Sequence, residues 1–451
     1  MKDISRRQFM KVAGAGALAA GVAAACKPGD GASGPGAVSV SDGMPLRTNP
    51  NTGDKVSLLG YGCMRWPMIK DAEGKDVIDQ AKVDELVDYA IAHGVNYFDS
   101  APVYLQGQSE QATAKALSRY PRDSYYIATK LSNHRGFEPT YDEGVAMYRR
   151  SLEYYNTDHI DYYLMHNLGG EKAFNERFKN NGLLDFLLRE RQEGRIRNLG
   201  FSYHGQQPGF DEMMALHDKY HWDFVQIQMN YVDWNRASSR NLPAKYAYDQ
   251  LYSRGIPVVI MEPLLGGRLS DVPKVVAERF KEREPQASVA SWAFRFCGTM
   301  PGVMCALSGM TYMEHLQDNI STFEHFKPLT DEELVFLEEM AGLINDYPLV
   351  PCTNCQYCMP CPYGIDIPGV FKHYNGCVSE GEIAQSTEQK DFRKLKKKYL
   401  ASYDKAIASV RQADHCISCG QCMPHCPQSI QIPRELRRID AYVESLKQET
   451  L

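Results

Sequence analysis

Residues 83–99 read VDELVDYAIAHGVNYFD, and this stretch decides the fold. Val83, Leu86, Val87, Ala90 and Ile91 fall at i, i+3, i+4, i+7 and i+8, a single apolar stripe along a helix. Gly94 ends that helix, since glycine takes the left-handed conformation a helix terminus needs. Val95–Asp99 then reads as a short strand closing on a carboxylate. The same unit recurs on both sides. Strands are predicted over 56–61, 95–99, 125–130, 160–165, 196–201, 224–229, 257–261 and 303–307. Helical patterns separate them at 107–119, 141–155, 183–193, 211–219, 243–254, 286–297 and 312–325. Eight strand–helix units in roughly 270 residues are the count and length of a (β/α)8 TIM barrel, an α/β fold. An open doubly wound sheet would want a glycine-rich phosphate loop after its first strand. Residues 60–66 read Gly-Tyr-Gly-Cys-Met-Arg-Trp, without that pattern.

In such barrels the chemistry sits at the C-terminal ends of the strands. The second strand closes in Asp99, with Tyr104 five residues on; the third closes in Lys130 and the fourth in His166. An acid, a phenol, an amine and an imidazole at adjacent strand ends can form one proton-donating site. The Lys130 ammonium is expected to lower the Tyr104 pKa from about 10, and Asp99 to hold Lys130 charged. Tyr104 could then protonate a carbonyl oxygen that His166 orients.

Cysteine is the informative excess in the remainder of the chain. Of thirteen cysteines, eight fall in two runs within the last hundred residues. Cys352-x2-Cys355-x2-Cys358-x2-Cys361 and Cys416-x2-Cys419-x2-Cys422-x3-Cys426 are each followed by proline. Three thiols in successive x2 spacings suit a cubane; four-cysteine zinc, which uses C-x2-C pairs, is the rival. Cys63, Cys297 and Cys305 stand singly on apolar stretches and read as small buried hydrophobes. A formal net charge of −6 argues against a nucleic-acid partner.

The chain starts with an address. Ser5-Arg6-Arg7-Gln8-Phe9-Met10-Lys11 precedes a short apolar run, Val12 to Ala25, too short to span a bilayer. It resembles a twin-arginine (Tat) signal, which implies export of a folded protein to the periplasm. Cys26 follows Val22-Ala23-Ala24-Ala25 and resembles a weak lipoprotein box, so attachment to a membrane through a lipidated Cys26 stands beside simple release. The expected organisation is a signal over 1–26, a flexible linker over 27–44, a barrel over 45–335 and a cysteine module over 336–451.

Tyr97-Phe98-Asp99-Ser100-Ala101-Pro102-Val103-Tyr104, then Thr129-Lys130, then Leu164-Met165-His166, resemble the Asp–Tyr–Lys–His tetrad of the aldo/keto reductases. The resemblance implies carbonyl reduction, or alcohol oxidation, with NAD(P)H and with Tyr104 as general acid. It also implies cofactor contacts from Ser202 and Gln226 to the nicotinamide carboxamide. Pro263, Leu264 and Gly266 would lie over the pyrophosphate, and Ser308 and Asn319 at the adenosine. Tyr203, Met261 and His315 depart from the family's usual residues, which leaves NADH open beside NADPH. The two cysteine runs resemble bacterial two-cluster ferredoxins, a mainly helical module here because of its long insert. That resemblance implies two 4Fe–4S clusters with crossed ligation: Cys352, Cys355, Cys358 and Cys426 on one, Cys416, Cys419, Cys422 and Cys361 on the other. The implied partners are a small carbonyl substrate and an electron-transfer protein. The rival reading is a non-catalytic nicotinamide-binding barrel acting as a redox sensor or regulatory subunit.

Overall fold

A computed structural model describes residues 43–133, 140–236 and 241–451. The signal segment, Cys26 and all but the last two residues of the linker lie outside the described residues. Eight parallel strands close into a barrel: β1 (Leu59–Gly62), β2 (Tyr97–Asp99), β3 (Tyr126–Leu131), β4 (Ile160–Leu168), β5 (Ile196–Tyr203), β6 (Phe224–Gln228), β7 (Val258–Met261) and β8 (Val303–Ser308). β8 returns to β1, with Ser308 opposite Tyr61, so the sheet has no edge.

Helices α1 (Gln80–Ala92), α2 (Ser109–Leu117), α3 (Tyr141–Tyr155), α4 (Leu183–Gln192), α5 (Gln207–Ala215), α6 (Ala244–Ser253), α7 (Lys274–Arg283), α8 (Val289–Thr299) and α9 (Met313–Glu324) belong to the ring around it. Inside the barrel Tyr97, Tyr162, Leu164, Phe224 and Val259 pack as one cluster, as side chains do in a filled barrel. A larger apolar layer lies between strands and helices; the α1 stripe Val83, Leu86, Val87 and Ala90 is buried in it. Cys63, Cys297 and Cys305 are wholly buried, and burial pushes all three thiols up.

Two details differ from the sequence reading. The first strand begins at Leu59, because Lys55–Ser57 pairs antiparallel with Leu46–Thr48 as a hairpin. The Ser57 N–H donates to Asn96 Oδ1 at 2.8 Å instead of to a barrel strand, and Val56 is fully buried against the barrel interior. Helix α7 carried no readable stripe, since it buries only Val276 and Phe280.

Helix α10 (Asp331–Asp346) opens with a capping box between Thr330 and Glu333. Its Leu337, Met340 and Ile344 join the barrel core, so it runs across the boundary drawn at 335/336. Beyond it a second core forms around α11 (Ile367–Ser379), α12 (Phe392–Ala406) and α13 (Ile432–Gln448), with Phe371, Tyr399, Tyr403, Ile439 and Val443 inside. The insert between the cysteine runs therefore supplies helices. Two of its lysines pair at the surface, Lys396 with Glu449 and Lys398 with Glu382.

Candidate active site

Strand register delivers the tetrad to one place. Asp99 ends β2 opposite Ala128 of β3, and Lys130, two residues further along β3, lies opposite Leu164 of β4. Lys130 Nζ donates to Asp99 Oδ1 at 2.6 Å and to the Ser100 carbonyl at 2.7 Å. Both side chains are buried, 1% and 4% exposed. Burial pushes the Asp99 carboxyl up against the downward pull of Lys130. Tyr104 follows β2 in a tight turn whose next two residues, Leu105 and Gln106, have φ of 49° and 58°. Non-glycine residues adopt such angles at an energetic cost, and here they set where the phenol stands. The Lys130 nitrogen lies 5.1 Å from the Tyr104 ring centroid, and the ring meets His166 edge-on at 5.8 Å.

One expectation is overturned. Lys130 does not bring the Tyr104 phenol down: burial, then the nearby Tyr357 and Asp99, hold it well above its ordinary value. Tyr104 therefore keeps its proton, as a general acid must before it gives one.

His166 is oriented by groups that the sequence did not single out. Its Nδ1 lies 2.6 Å from Ser132 Oγ. Arg177 clamps the end of β4, donating to the carbonyls of His166 and Asn167 and to Asn133 Oδ1. A polar stretch, Asn175-Glu176-Arg177, offered no pattern to mark this role.

Most of the residues expected around a nicotinamide dinucleotide bond within the protein, while the buried Gln226 Oε1 has no partner among the described residues. Ser202 Oγ accepts from the Asn167 N–H at 2.8 Å. Gln226 Nε2 faces Asp99 Oδ2 at 3.4 Å. Asn319 Nδ2 donates to Ser308 Oγ at 2.9 Å, with both side chains buried. The loop after β7 meets the cysteine module. Gly266 has φ of 67°, and a Cβ there would stand 2.3 Å from the Thr353 carbonyl oxygen and 2.5 Å from its Cα. Only glycine permits that approach. Opposite it, Arg65 Nη2 donates to the Thr353 carbonyl at 2.6 Å, while the Arg65 stem lies along Gly309 after β8. Pro263 and Leu264 belong to the same loop, directly after the half-buried Glu262.

The module thus sits on the barrel mouth. Gln428 Nε2 donates to Gln228 Oε1 at 3.2 Å, 200 residues apart and buried. The half-buried Arg268 guanidinium lies near Asp233, Cys352 and Glu262. Cys352, Cys355, Cys358 and Cys426 line one cavity, walled by Thr353, Phe371, Ile430 and Ile432. Burial pushes the Cys352 thiol up to about 12. Cys422 is near Cys416, Cys419 and Cys361, and burial pushes its thiol up to about 11. The two groups are the crossed sets, each drawing one thiol from the distant run.

The family model for the aldo/keto reductase family matches residues 58–341. A 4Fe-4S dicluster domain matches 351–431, and a twin-arginine translocation pathway signal sequence matches 3–23. A probable aldo-keto reductase of Glycine max is 31% identical over 156 residues, 33% of this chain and 42% of that protein. The Bacillus subtilis protein YqkF, an uncharacterized oxidoreductase, is 24% identical over 63% of this chain and 92% of its own. Among solved structures, the holo form of an aldo-keto reductase from Bacillus halodurans shares the barrel. Its TM-score is 0.53 and its identity 21%, over 66% of this chain and 96% of that one.

Proposed function

Because the chain belongs to the aldo/keto reductase family, we propose that it reduces a small carbonyl compound, or oxidises the matching alcohol, at the mouth of the barrel, with Tyr104 as general acid. Behind the phenol, Lys130 and Asp99 form a dry ion pair that fixes the charge next to it. His166, oriented through Ser132, is placed to hold the carbonyl oxygen. The observation that carries this reading is the convergence of the four side chains: Lys130 on Asp99 at 2.6 Å, beneath a Tyr104 ring that meets His166. The Tyr104→Phe variant keeps the ring and removes the proton. Its rate of carbonyl reduction should fall by about two to four orders of magnitude, the range of general acid catalysis. An unchanged rate would remove Tyr104 as the acid.

The chain carries a 4Fe–4S dicluster domain, and the cradle residues fit such clusters. The four thiols of the first set surround a cavity. Three thiols in successive x2 spacings, joined by a fourth from the distant run, suit a multi-iron group better than zinc. We assign Cys352, Cys355, Cys358 and Cys426 to one cluster and Cys416, Cys419, Cys422 and Cys361 to the other. When bound, such clusters supply one-electron transfer. NAD(P)H fits less well. Ser202, Ser308 and Asn319 are turned to partners within the protein and the Thr353 backbone lies against Gly266, although Gln226 keeps a buried oxygen without a partner among the described residues. No step here is routed through that coenzyme.

The Tat signal directs export, and among the described residues no helix is long and apolar enough to cross a membrane. We take the mature protein to work on the outer side of the cytoplasmic membrane. Palmitate labelling that disappears in Cys26→Ala separates a lipid tether from free release.

A further inference from the structure

We propose that the first cysteine run closes the groove in which a nicotinamide dinucleotide would lie, so that the tetrad of this chain is served with electrons singly, from the iron–sulfur module. The inference rests on the tetrad being the reaction site, and it concerns how that site is supplied.

Three observations carry it. Between the loop after β8, at Gly309, and the loop after β7, at Gly266, the Thr353 backbone is wedged: Arg65, whose stem lies along Gly309, hydrogen-bonds the carbonyls of Thr353 and Asn354, and Gly266 admits the Thr353 peptide at a distance that no side chain would allow. Arg65 is a guanidinium well shaped for a phosphate, yet two of its N–H groups go to main-chain carbonyls. Secondly, the seal is buried. Thr353 is 2% exposed and Gln428 4%, and Gln428, which lines the cysteine cavity, is tied to Gln228 at the end of β6. Thirdly, the seal and the cradle are one segment. Thr353, which meets Gly266, directly follows Cys352 and lines the cysteine cavity together with Cys355 and Cys358. A closed groove and a cysteine cradle are thus one piece of structure.

The chemistry then divides. A carbonyl gains two electrons and two protons to become an alcohol. Here the C=O π bond breaks and an O–H bond forms with the Tyr104 proton, which solvent replaces. The second proton comes from solvent and forms the other new bond, a second O–H that gives a hydroquinone or an enediol. Clusters held by the two cysteine sets would supply the electrons one at a time, and an external low-potential one-electron donor protein would replace them. A half-reduced carbonyl is stable only when conjugated, so the substrate class is a quinone or an α-dicarbonyl rather than a simple aldehyde or sugar. Away from the barrel, Cys419 is exposed, and Ile417 and Val410 expose 59% and 70% of their surface beside the second cysteine run. That face is open to a donor.

The test uses the full chain, purified anaerobically with its clusters. Equilibrium dialysis against NADPH and NADH, up to about 1 mM, the top of the usual affinity range, should show no saturable binding. Reduced methyl viologen should drive reduction of butane-2,3-dione faster than in the protein-free control. That excess rate should fall at least about 100-fold in Tyr104→Phe, with the iron–sulfur absorbance reporting that the variant is folded and loaded. Saturable dinucleotide binding would overturn the proposal. So would deuterium carried from the C4 position of labelled NAD(P)H into the product, or a rate no faster than the protein-free control. Viologen-driven turnover that survives Tyr104→Phe would instead remove the tetrad, while the dialysis result still judged the closed groove.

Discussion

Replacing Lys130 with methionine removes one half of a buried ion pair and keeps its length and apolar stem. In the native protein Asp99 Oδ1 accepts from Lys130 at 2.6 Å, and its other oxygen has only Gln226 at 3.4 Å. With both partners of the pair at most 4% exposed, stripping one leaves an uncompensated carboxylate, a loss of about 3–5 kcal/mol. Burial already raises the Asp99 pKa, so the variant's Asp99 should take up a proton instead of remaining charged. The sign follows from linkage. An acid whose folded pKa lies above its unfolded value, near 3.9, costs nothing below that value and destabilises increasingly as pH rises toward the folded pKa. Relative to the native protein, Lys130→Met should lose up to about 1.4 kcal/mol of stability per pH unit over that window. Urea unfolding at pH 5, 6, 7 and 8, followed anaerobically by tryptophan fluorescence, measures the slope. A stability difference independent of pH would refute the reasoning, because it would mean that Asp99 does not hold a proton when its partner is gone.

Other expectations follow from the module and the signal. The loaded protein should contain about eight irons and eight sulfides, and Cys426→Ala should abolish the paramagnetic signal of the cluster held by 352–358 while sparing the one nearer to it in sequence. Loss of the opposite cluster would show that ligation is not crossed, and zinc without iron would refute the cluster assignment. Changing Arg6 and Arg7 together to lysine should trap the precursor in the cytoplasm, as fractionation and immunoblotting would detect. Normal periplasmic or membrane recovery would remove the Tat reading.

The barrel was legible because its signal is repetitive. The stripe Val83, Leu86, Val87, Ala90 predicts α1, and the later barrel helices other than α7 repeat the pattern strongly enough to be counted. Val56 was misplaced because an apolar residue in a β-hairpin and one in a barrel strand look alike, and only the Asn96 side chain decides between them. The tetrad was legible as residue types at strand ends, since the fold brings those ends together. Its protonation was not. Lys130 is adjacent to Tyr104, yet burial outweighs its charge, and depth of burial is a property of packing that no local motif carries. Arg177 and Ser132 were invisible for a related reason: each acts through a backbone carbonyl or a single hydroxyl contact. Least legible was Gly266. In the sequence it belongs to a glycine pair that suggests room for a phosphate, whereas in the fold that room is taken by Thr353, from a segment 87 residues further along the chain.

The crossing of the thiols bears on the order of events in biosynthesis. A cradle formed by Cys352, Cys355 and Cys358 has its fourth wall in Cys426, within the last turn before the terminal helix. The barrel can be complete on the ribosome long before that cysteine emerges, so the mouth of the barrel stays uncovered until almost the whole chain exists. A cluster on these four thiols can form only once Cys426 has joined the other three, so its assembly comes after the barrel has been synthesised and, for a protein with a Tat signal, before export.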